Sequence, residues 1–168
     1  LRLLRNVDLQ AISFFYNPDQ AAILNSISIE FNANESTGLV GASGSGKSTA
    51  INILTGLLVP SSGNVTVDDV ELSEANMRSW QSKIGFVSQN IFLRDTTIQE
   101  NIAFGHHKND IDQERIMQVI EMANLDEFIN SLPGGIETGV GERGVQLSGG
   151  QLQRVGIALS LIHISEPT

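Results

Sequence analysis

Nine consecutive residues, Gly41-Ala42-Ser43-Gly44-Ser45-Gly46-Lys47-Ser48-Thr49, bring together glycines, a lysine and hydroxyls in the order G-x-x-x-x-G-K-[ST]. Glycines let a backbone wrap closely round phosphate oxygens with its N–H groups turned inward. The flanks suit that chemistry. Thr37-Gly38-Leu39-Val40 reads as the end of a short apolar strand. Ala50, Ile51, Ile53, Leu54 and Leu57 then recur at helical spacing. A helix starting here would add the positive end of its dipole to the same point. Lys47 would reach the β- and γ-phosphates, and the Ser48 hydroxyl would ligate Mg²⁺. The plainer alternative is a glycine-rich surface turn. The strand and helix on either side favour nucleotide binding.

A second candidate lies at Leu147-Ser148-Gly149-Gly150-Gln151, followed by Leu152-Gln153-Arg154. Ser148 can cap a helix, and two glycines behind it let backbone N–H groups approach an anion. The helix runs on through Val155, Ile157 and Ala158. Taken alone, this stretch reads more as a plain helix cap than as an anion site.

The elements that must hold these two stretches follow from periodicity. Residues 9 to 31 read as β structure. Ile12, Phe14 and Tyr16 alternate with their neighbours, Asn17-Pro18-Asp19 turns the chain, and Ile27, Ile29 and Phe31 alternate with Ser26, Ser28 and Glu30. Asn32-Ala33-Asn34 turns into the strand that feeds the loop. Pro60-Ser61-Ser62-Gly63 stops the helix behind the loop, Val65 and Val67 mark another strand, and Asp68-Asp69 is its turn. Glu74 to Trp80 reads as a short helix and Ile84 to Val87 as a buried strand. Residues 97 to 132 are helical in pattern, with an acidic capping box at Asp110 to Gln113 and one apolar face of Ile116, Val119, Ile120 and Ala123. Pro133-Gly134-Gly135 closes that block. Trp80 is read as a packing residue, and His106 and His107 as part of a solvated loop without metal-ligand partners.

The chain has 168 residues, enough for one domain with a real core. Its formal charge of −9 argues against a nucleic-acid groove, which needs a basic stripe. There is no cysteine, so disulfide and thiol chemistry are excluded. No apolar run approaches the ~20 residues of a membrane span.

Together the two stretches resemble the nucleotide-binding domain of ABC transporters, over roughly residues 6 to 158. Gly41 to Thr49 matches the family's Walker A, and Leu147 to Gln151 its LSGGQ signature. Gln89, after Ile84-Gly85-Phe86-Val87-Ser88, matches the Q-loop, and Tyr16 the aromatic that stacks on adenine. Val140-Gly141-Glu142-Arg143-Gly144 matches the x-loop, which faces the membrane domain; an ordinary exposed Glu142–Arg143 ion pair is the plainer reading there. The resemblance implies an α/β P-loop NTPase core, incomplete here, with an N-terminal antiparallel β subdomain and an inserted α-helical subdomain. The β lobe and core would take about 1–88 and the helical part about 89–158.

The resemblance further implies ATP and Mg²⁺ as cofactors and a head-to-tail dimer with a second nucleotide-binding domain. Gly41, Ser43, Gly44, Ser45, Gly46, Lys47, Ser48 and Thr49 would hold the phosphates, with Lys47 and Gln89 in catalytic roles. Ser48 and Gln89 would meet Mg²⁺, and Tyr16 would stack the base. Leu147, Ser148, Gly149, Gly150 and Gln151 would face the other subunit's nucleotide, with Ser148, Gly150 and Gln151 on its γ-phosphate. A transmembrane domain is the other implied partner, which places the domain on the cytoplasmic face of a membrane. Asn101-Ile102-Ala103-Phe104-Gly105 resembles the exporter branch, and the stretches at 14–19 and 22–28 resemble type I secretion and peptide exporters. Multidrug and lipid cargo stay open, because membrane helices choose cargo. A soluble ABC ATPase acting on DNA or ribosomes is the alternative, and a P-loop kinase or GTPase a third.

Departures from the family are informative. Asn34 stands for a usual Gly and tolerates the same left-handed backbone. Asp69 replaces the Gly of a common Asp-Gly turn, and Leu152 a frequent Arg. The Walker B Asp, catalytic Glu, D-loop and switch His that follow the signature helix in the family have no counterpart in these residues. His163 comes too soon after Gln151 to be the switch. Without that Glu and His no general base is expected, and hydrolysis by these residues alone is not. The start at Leu1 rather than Met fits a fused parent. The family pattern fails at Leu159, and Leu159 to Thr168 resembles a translated sequencing adapter, so 159–168 reads as a non-native tail.

Overall fold

The computed structural model describes residues 3–106 and 112–164, which divide at Ile84/Gly85 into two compact units. The first unit is built on a four-stranded antiparallel sheet. Strand β1 (Asn6–Phe14) pairs with β2 (Leu24–Asn32) on one edge and β3 (Ser62–Val67) on the other. A two-residue strand β4 (Val70–Glu71) completes the order β2-β1-β3-β4. The alternation expected in β2 is present: Ile27, Ile29 and Phe31 are half-buried while Ser26, Ser28 and Glu30 are exposed. Helix α1 (Lys47–Leu54) sets Ala50 and Ile53 against Val7, Leu9, Ile12, Phe14, Val65 and Val67 in one core. Helix α2 (Glu74–Gln81) adds Trp80, whose Nε1–H donates to the Leu54 carbonyl at 2.9 Å. Trp80 is thus a packing residue, as its type suggests.

The β3–β4 turn forms without glycine. Asp68 and Asp69 both take positive φ, 49° and 68°, the geometry of a two-residue hairpin. What holds Asp68 there is its carboxylate, which accepts from the amides of Leu4 and Arg5 at 2.7 Å and of Asn6 at 3.0 Å. Burial pushes this carboxyl up, but those three amides and the Arg5 charge outweigh it and hold it below the usual carboxylate range. Asp8 behaves oppositely: burial, then the facing Glu30 charge, push it up. Asn34 takes φ 60°, the left-handed backbone its residue type allows.

Two expected strands are not strands. Residues 37–40 run irregularly into the loop, with Val40 97% exposed, and Ile84–Val87 is irregular with Phe86 and Val87 exposed. A strand exists only where a neighbour completes its backbone hydrogen bonds. The described sheet has no parallel pair, so neither apolar run has a partner to pair with. Apolar sequence gave the propensity; the ladder needed a second chain segment.

The second unit is helical. It contains α3 (Ile98–Ile102), α4 (Gln113–Met122), α5 (Asp126–Ser131) and α6 (Gly149–Ile162), with 3₁₀ turns at Gly135–Glu137 and Glu142–Gly144. The expected face of α4, Ile116, Val119, Ile120 and Ala123, is buried against Ile98, Ile102, Val140, Val155 and Ala158. The capping box expected from Asp110 lies outside the described residues, as does His107. Asp112 caps α4, accepting from the Arg115 amide at 3.1 Å. His106 is exposed, and its ring stacks on that of His163 with centroids 5.5 Å apart.

Candidate nucleotide-binding site

Helix α1 begins without any side-chain cap. Its N-cap is Gly46 at φ 88°, a backbone state that costs an L residue roughly 1–2 kcal/mol. A Cβ there would also stand 2.6 Å from Leu24 Cδ2 and 3.1 Å from the Ile23 carbonyl oxygen. Glycine is therefore required twice over, by conformation and by the close seat of the loop on the start of β2. An uncapped first turn leaves backbone N–H donors for an outside acceptor.

Lys47 closes the loop into a ring. Its Nζ donates to the carbonyls of Gly41 at 2.8 Å and Ala42 at 2.7 Å, and to Ser45 Oγ at 3.3 Å. These bonds hold the ammonium over the residues that a phosphate chain would cross. Ser48 is exposed beside it, and Thr49 is buried. The Thr49 Oγ1 lies 3.4 Å from the hydroxyl of Tyr16. Tyr16 is 64% exposed, with its ring edge-on to the buried Phe14 at 4.9 Å. Two aromatics two residues apart thus divide their roles: Phe14 fills the core, and Tyr16 stands free next to the first turn of α1. An apolar cleft of about 280 Å³ under the loop, lined by Leu24, Ile27, Ile29, Leu39 and Val40, is where the unformed strand leaves β2 uncovered.

The second glycine pair opens α6. Ser148 is the N-cap, and its Oγ accepts from the Gln151 amide at 3.3 Å. Gln151 answers with Oε1, which accepts from the Ser148 amide at 2.8 Å. This reciprocal box was not foreseen, although a Ser with Gln three residues later is its sequence signal. It consumes one lone pair of the Ser148 hydroxyl and the carbonyl end of Gln151. The hydroxyl proton and the Gln151 amide N–H groups are not used by it. A Cβ added at Gly149 or Gly150 would meet nothing within 4 Å, and neither residue has positive φ. The fold itself does not need these glycines, and helices prefer alanine.

Arg154 was also not singled out by sequence. Its Nη1 donates to the Asn124 carbonyl at 3.1 Å and its Nε to that of Gly150 at 3.4 Å, tying the start of α6 to the end of α4. Its i+4 spacing from Gly150 was the available signal. Gln89 is exposed in the irregular segment that follows Gly85, where Ser88 Oγ donates to the Asn90 carbonyl at 2.7 Å. Asn101, 2% exposed, holds the chain just beyond. It accepts from the Arg94 amide at 2.8 Å and donates to the carbonyls of Arg94 and Thr97, both at 3.0 Å. In the x-loop stretch, Gly141, Arg143 and Gly144 all have positive φ. Among the described residues Glu142 and Arg143 form no ion pair with each other, whereas Arg5 pairs with Asp69. The structure thus brings Tyr16 to the phosphate loop within the first unit. Gln89 and Ser148–Gln151 belong to the second.

A lysine-closed loop on an uncapped helix, behind an antiparallel β lobe, is a fold of the P-loop NTPase type. The profile of the ABC transporter family matches residues 24–166, and the chain belongs to that family. The kinase and GTPase reading is thereby set aside. The chain is 41% identical over 159 residues to ABC transporter B family member 29, chloroplastic, of Arabidopsis thaliana, covering 95% of this chain and 25% of that one. It is 39% identical over 148 residues to the ATP-dependent lipid A-core flippase of Ralstonia nicotianae, covering 88% and 25%. A solved bacterial Atm1-family ABC exporter with ATP bound superposes with a TM-score of 0.84 at 34% identity, covering 97% of this chain and 28% of that one. The chain spans about a quarter of the length of the curated relatives it matches. Among the described residues no helix is long and apolar enough to cross a membrane.

Proposed function

We propose that the chain forms the ATP-binding motor domain of an ABC exporter whose full-length protein works with Mg²⁺ and couples ATP binding and hydrolysis to export of a substrate; these 168 residues alone do not turn ATP over. The carrying observation is the pair Gly149 and Gly150, placed at a capped helix start where nothing among the described residues excludes a side chain. Bare backbone kept open there serves a ligand from outside. Gly41 to Thr49 hold the phosphates of the domain's own nucleotide, with Lys47 over the β- and γ-groups and Ser48 and Gln89 on the metal. Tyr16 stacks the base. The Ser148 hydroxyl proton, the Gly150 amide and the Gln151 amide nitrogen then donate to the γ-phosphate held by a second copy. ATP acts as the adhesive between two such domains, and its cleavage loosens them.

The lipid A-core flippase and the solved ABC exporter support the surrounding partners of this reading. A transmembrane domain docks on the x-loop, on the cytoplasmic face of a membrane, and no nucleic acid is involved.

Sedimentation of the 168-residue chain with Mg-ATP tests the proposal. ATP should drive association, and Ser148→Arg should keep nucleotide binding while blocking association. Association that ignores Ser148→Arg, or ATP binding without any association, would overturn it.

A further inference from the structure

Helix α6 carries a notch as well as the signature. A Cβ at Gly156 would stand 2.6 Å from Ile91 Cδ1, 3.1 Å from Cγ1 and 3.2 Å from Cγ2, so one whole side chain is seated on that glycine. Ile91 is β-branched and stiff at χ1, so although Cδ1 can turn about χ2, Cγ1 and Cγ2 must give by a few tenths of an ångström to admit an added methyl. A second close approach lies upstream: a Cβ at Gly85 would stand 2.8 Å from Ser160 Oγ. Gly156 and Ser160 are four residues apart and share one face of α6, about 6 Å apart along its axis. The chain between the two contacts, from Gly85 to Ile91, could span about 20 Å if extended. It must therefore arch away from the helix. The Ser88 Oγ bond to the Asn90 carbonyl closes the arch round Gln89, which is exposed.

Glycine is a poor choice in a helix interior on propensity alone, yet it stands at 156, in the middle of a 14-residue helix. We propose that Gly156 is a positioning residue for Gln89: the seat of Ile91 on Gly156 fixes the arch to α6, so the helix that presents Ser148–Gln151 also sets where the Gln89 amide stands. This rests on the reading of Gln89 as a contact to the nucleotide's Mg²⁺. Ser148 lies eight residues before Gly156, about 12 Å up the same rigid rod. Any shift of α6 when its N-terminus meets another copy's phosphate moves Gln89 with it. Gly156 touches neither nucleotide nor metal; it acts through Ile91.

The test is the Mg²⁺ dependence of ATP binding by the full chain, with the helical content of each variant followed by circular dichroism. Gly156→Ala should raise the half-saturating Mg²⁺ about tenfold, the size of effect that outer-sphere supports of a metal site show. The double variant Gly156→Ala/Ile91→Ala should return it to near the parent value, because the methyl then fills the space the isoleucine left. Ile91→Ala alone, which adds no bulk, should also raise it by freeing the arch. A merely structural role would move stability and leave the Mg²⁺ dependence where it was, and that result overturns the inference. So does a double variant no better than Gly156→Ala. Gln89→Ala separates the two levels. If it leaves the Mg²⁺ dependence unchanged, the metal role of Gln89 fails and this inference with it; if it raises the dependence while Gly156→Ala does not, only this inference fails.

Discussion

Replacing Gly46 with alanine tests the seat of the phosphate loop by two additive effects. At φ 88° the alanine pays roughly 1–2 kcal/mol for a left-handed backbone. Its Cβ would stand 2.6 Å from Leu24 Cδ2, which can yield, and 3.1 Å from the Ile23 carbonyl, which is backbone and yields less. Overpacking of that kind costs about 1–3 kcal/mol. The sum is about 2–5 kcal/mol, and with a mid-range urea slope of about 2 kcal/mol per molar it shifts the midpoint by roughly 1–2.5 M. The chain has a single tryptophan, Trp80, buried in the first unit's core, so its fluorescence follows that unit alone. Gly149→Ala is the control, read by circular dichroism. Nothing lies within 4 Å of its Cβ, so stability should change by no more than about 1 kcal/mol, in either direction. A Gly46→Ala chain as stable as the parent would refute the steric reasoning. Equal destabilisation by Gly149→Ala would refute the claim that the fold does not need that glycine.

Asn101→Ala removes a buried amide that satisfies the Arg94 amide and carbonyl, and should cost about 2–3 kcal/mol in chemical denaturation of the second unit. Asp68→Asn should destabilise the first unit at neutral pH. The native carboxyl is held below its usual range, so its contribution is present above the unfolded value of about 3.9 and is lost as pH falls through the folded one. Asp8→Asn should do the reverse. That carboxyl is pushed up by burial and Glu30, so the substitution stabilises at neutral pH, and the gain fades as acid protonates the native Asp8. Stability against pH for the two variants checks both signs. Steady Mg-ATP turnover should be absent in the purified 168 residues; robust phosphate release would contradict that.

Local chemistry was readable where residue type alone decides it. The glycine–lysine loop and the amphipathic face of α4 each carry their own cause in the sequence. What could not be read depended on distant partners. Thr37–Val40 and Ile84–Val87 have strand propensity, but pairing decides strands, and no neighbour in the described sheet supplies it. Tyr16 and Phe14 look alike in sequence; only packing separates the exposed one from the buried one. The seat of Ile91 on Gly156 joins residues 65 positions apart, and no pattern along the chain announces it.

The claim that everything else rests on is that Gly41 to Thr49, closed by Lys47, hold a nucleotide's phosphates. Titrating Mg-ATP into the chain and into Lys47→Ala measures it directly. The parent should bind, and the variant, whose fold Trp80 fluorescence would verify, should lose at least about tenfold in affinity, the worth of one charge-assisted hydrogen bond. Equal affinity in the two chains would place the nucleotide somewhere else and contradict the account.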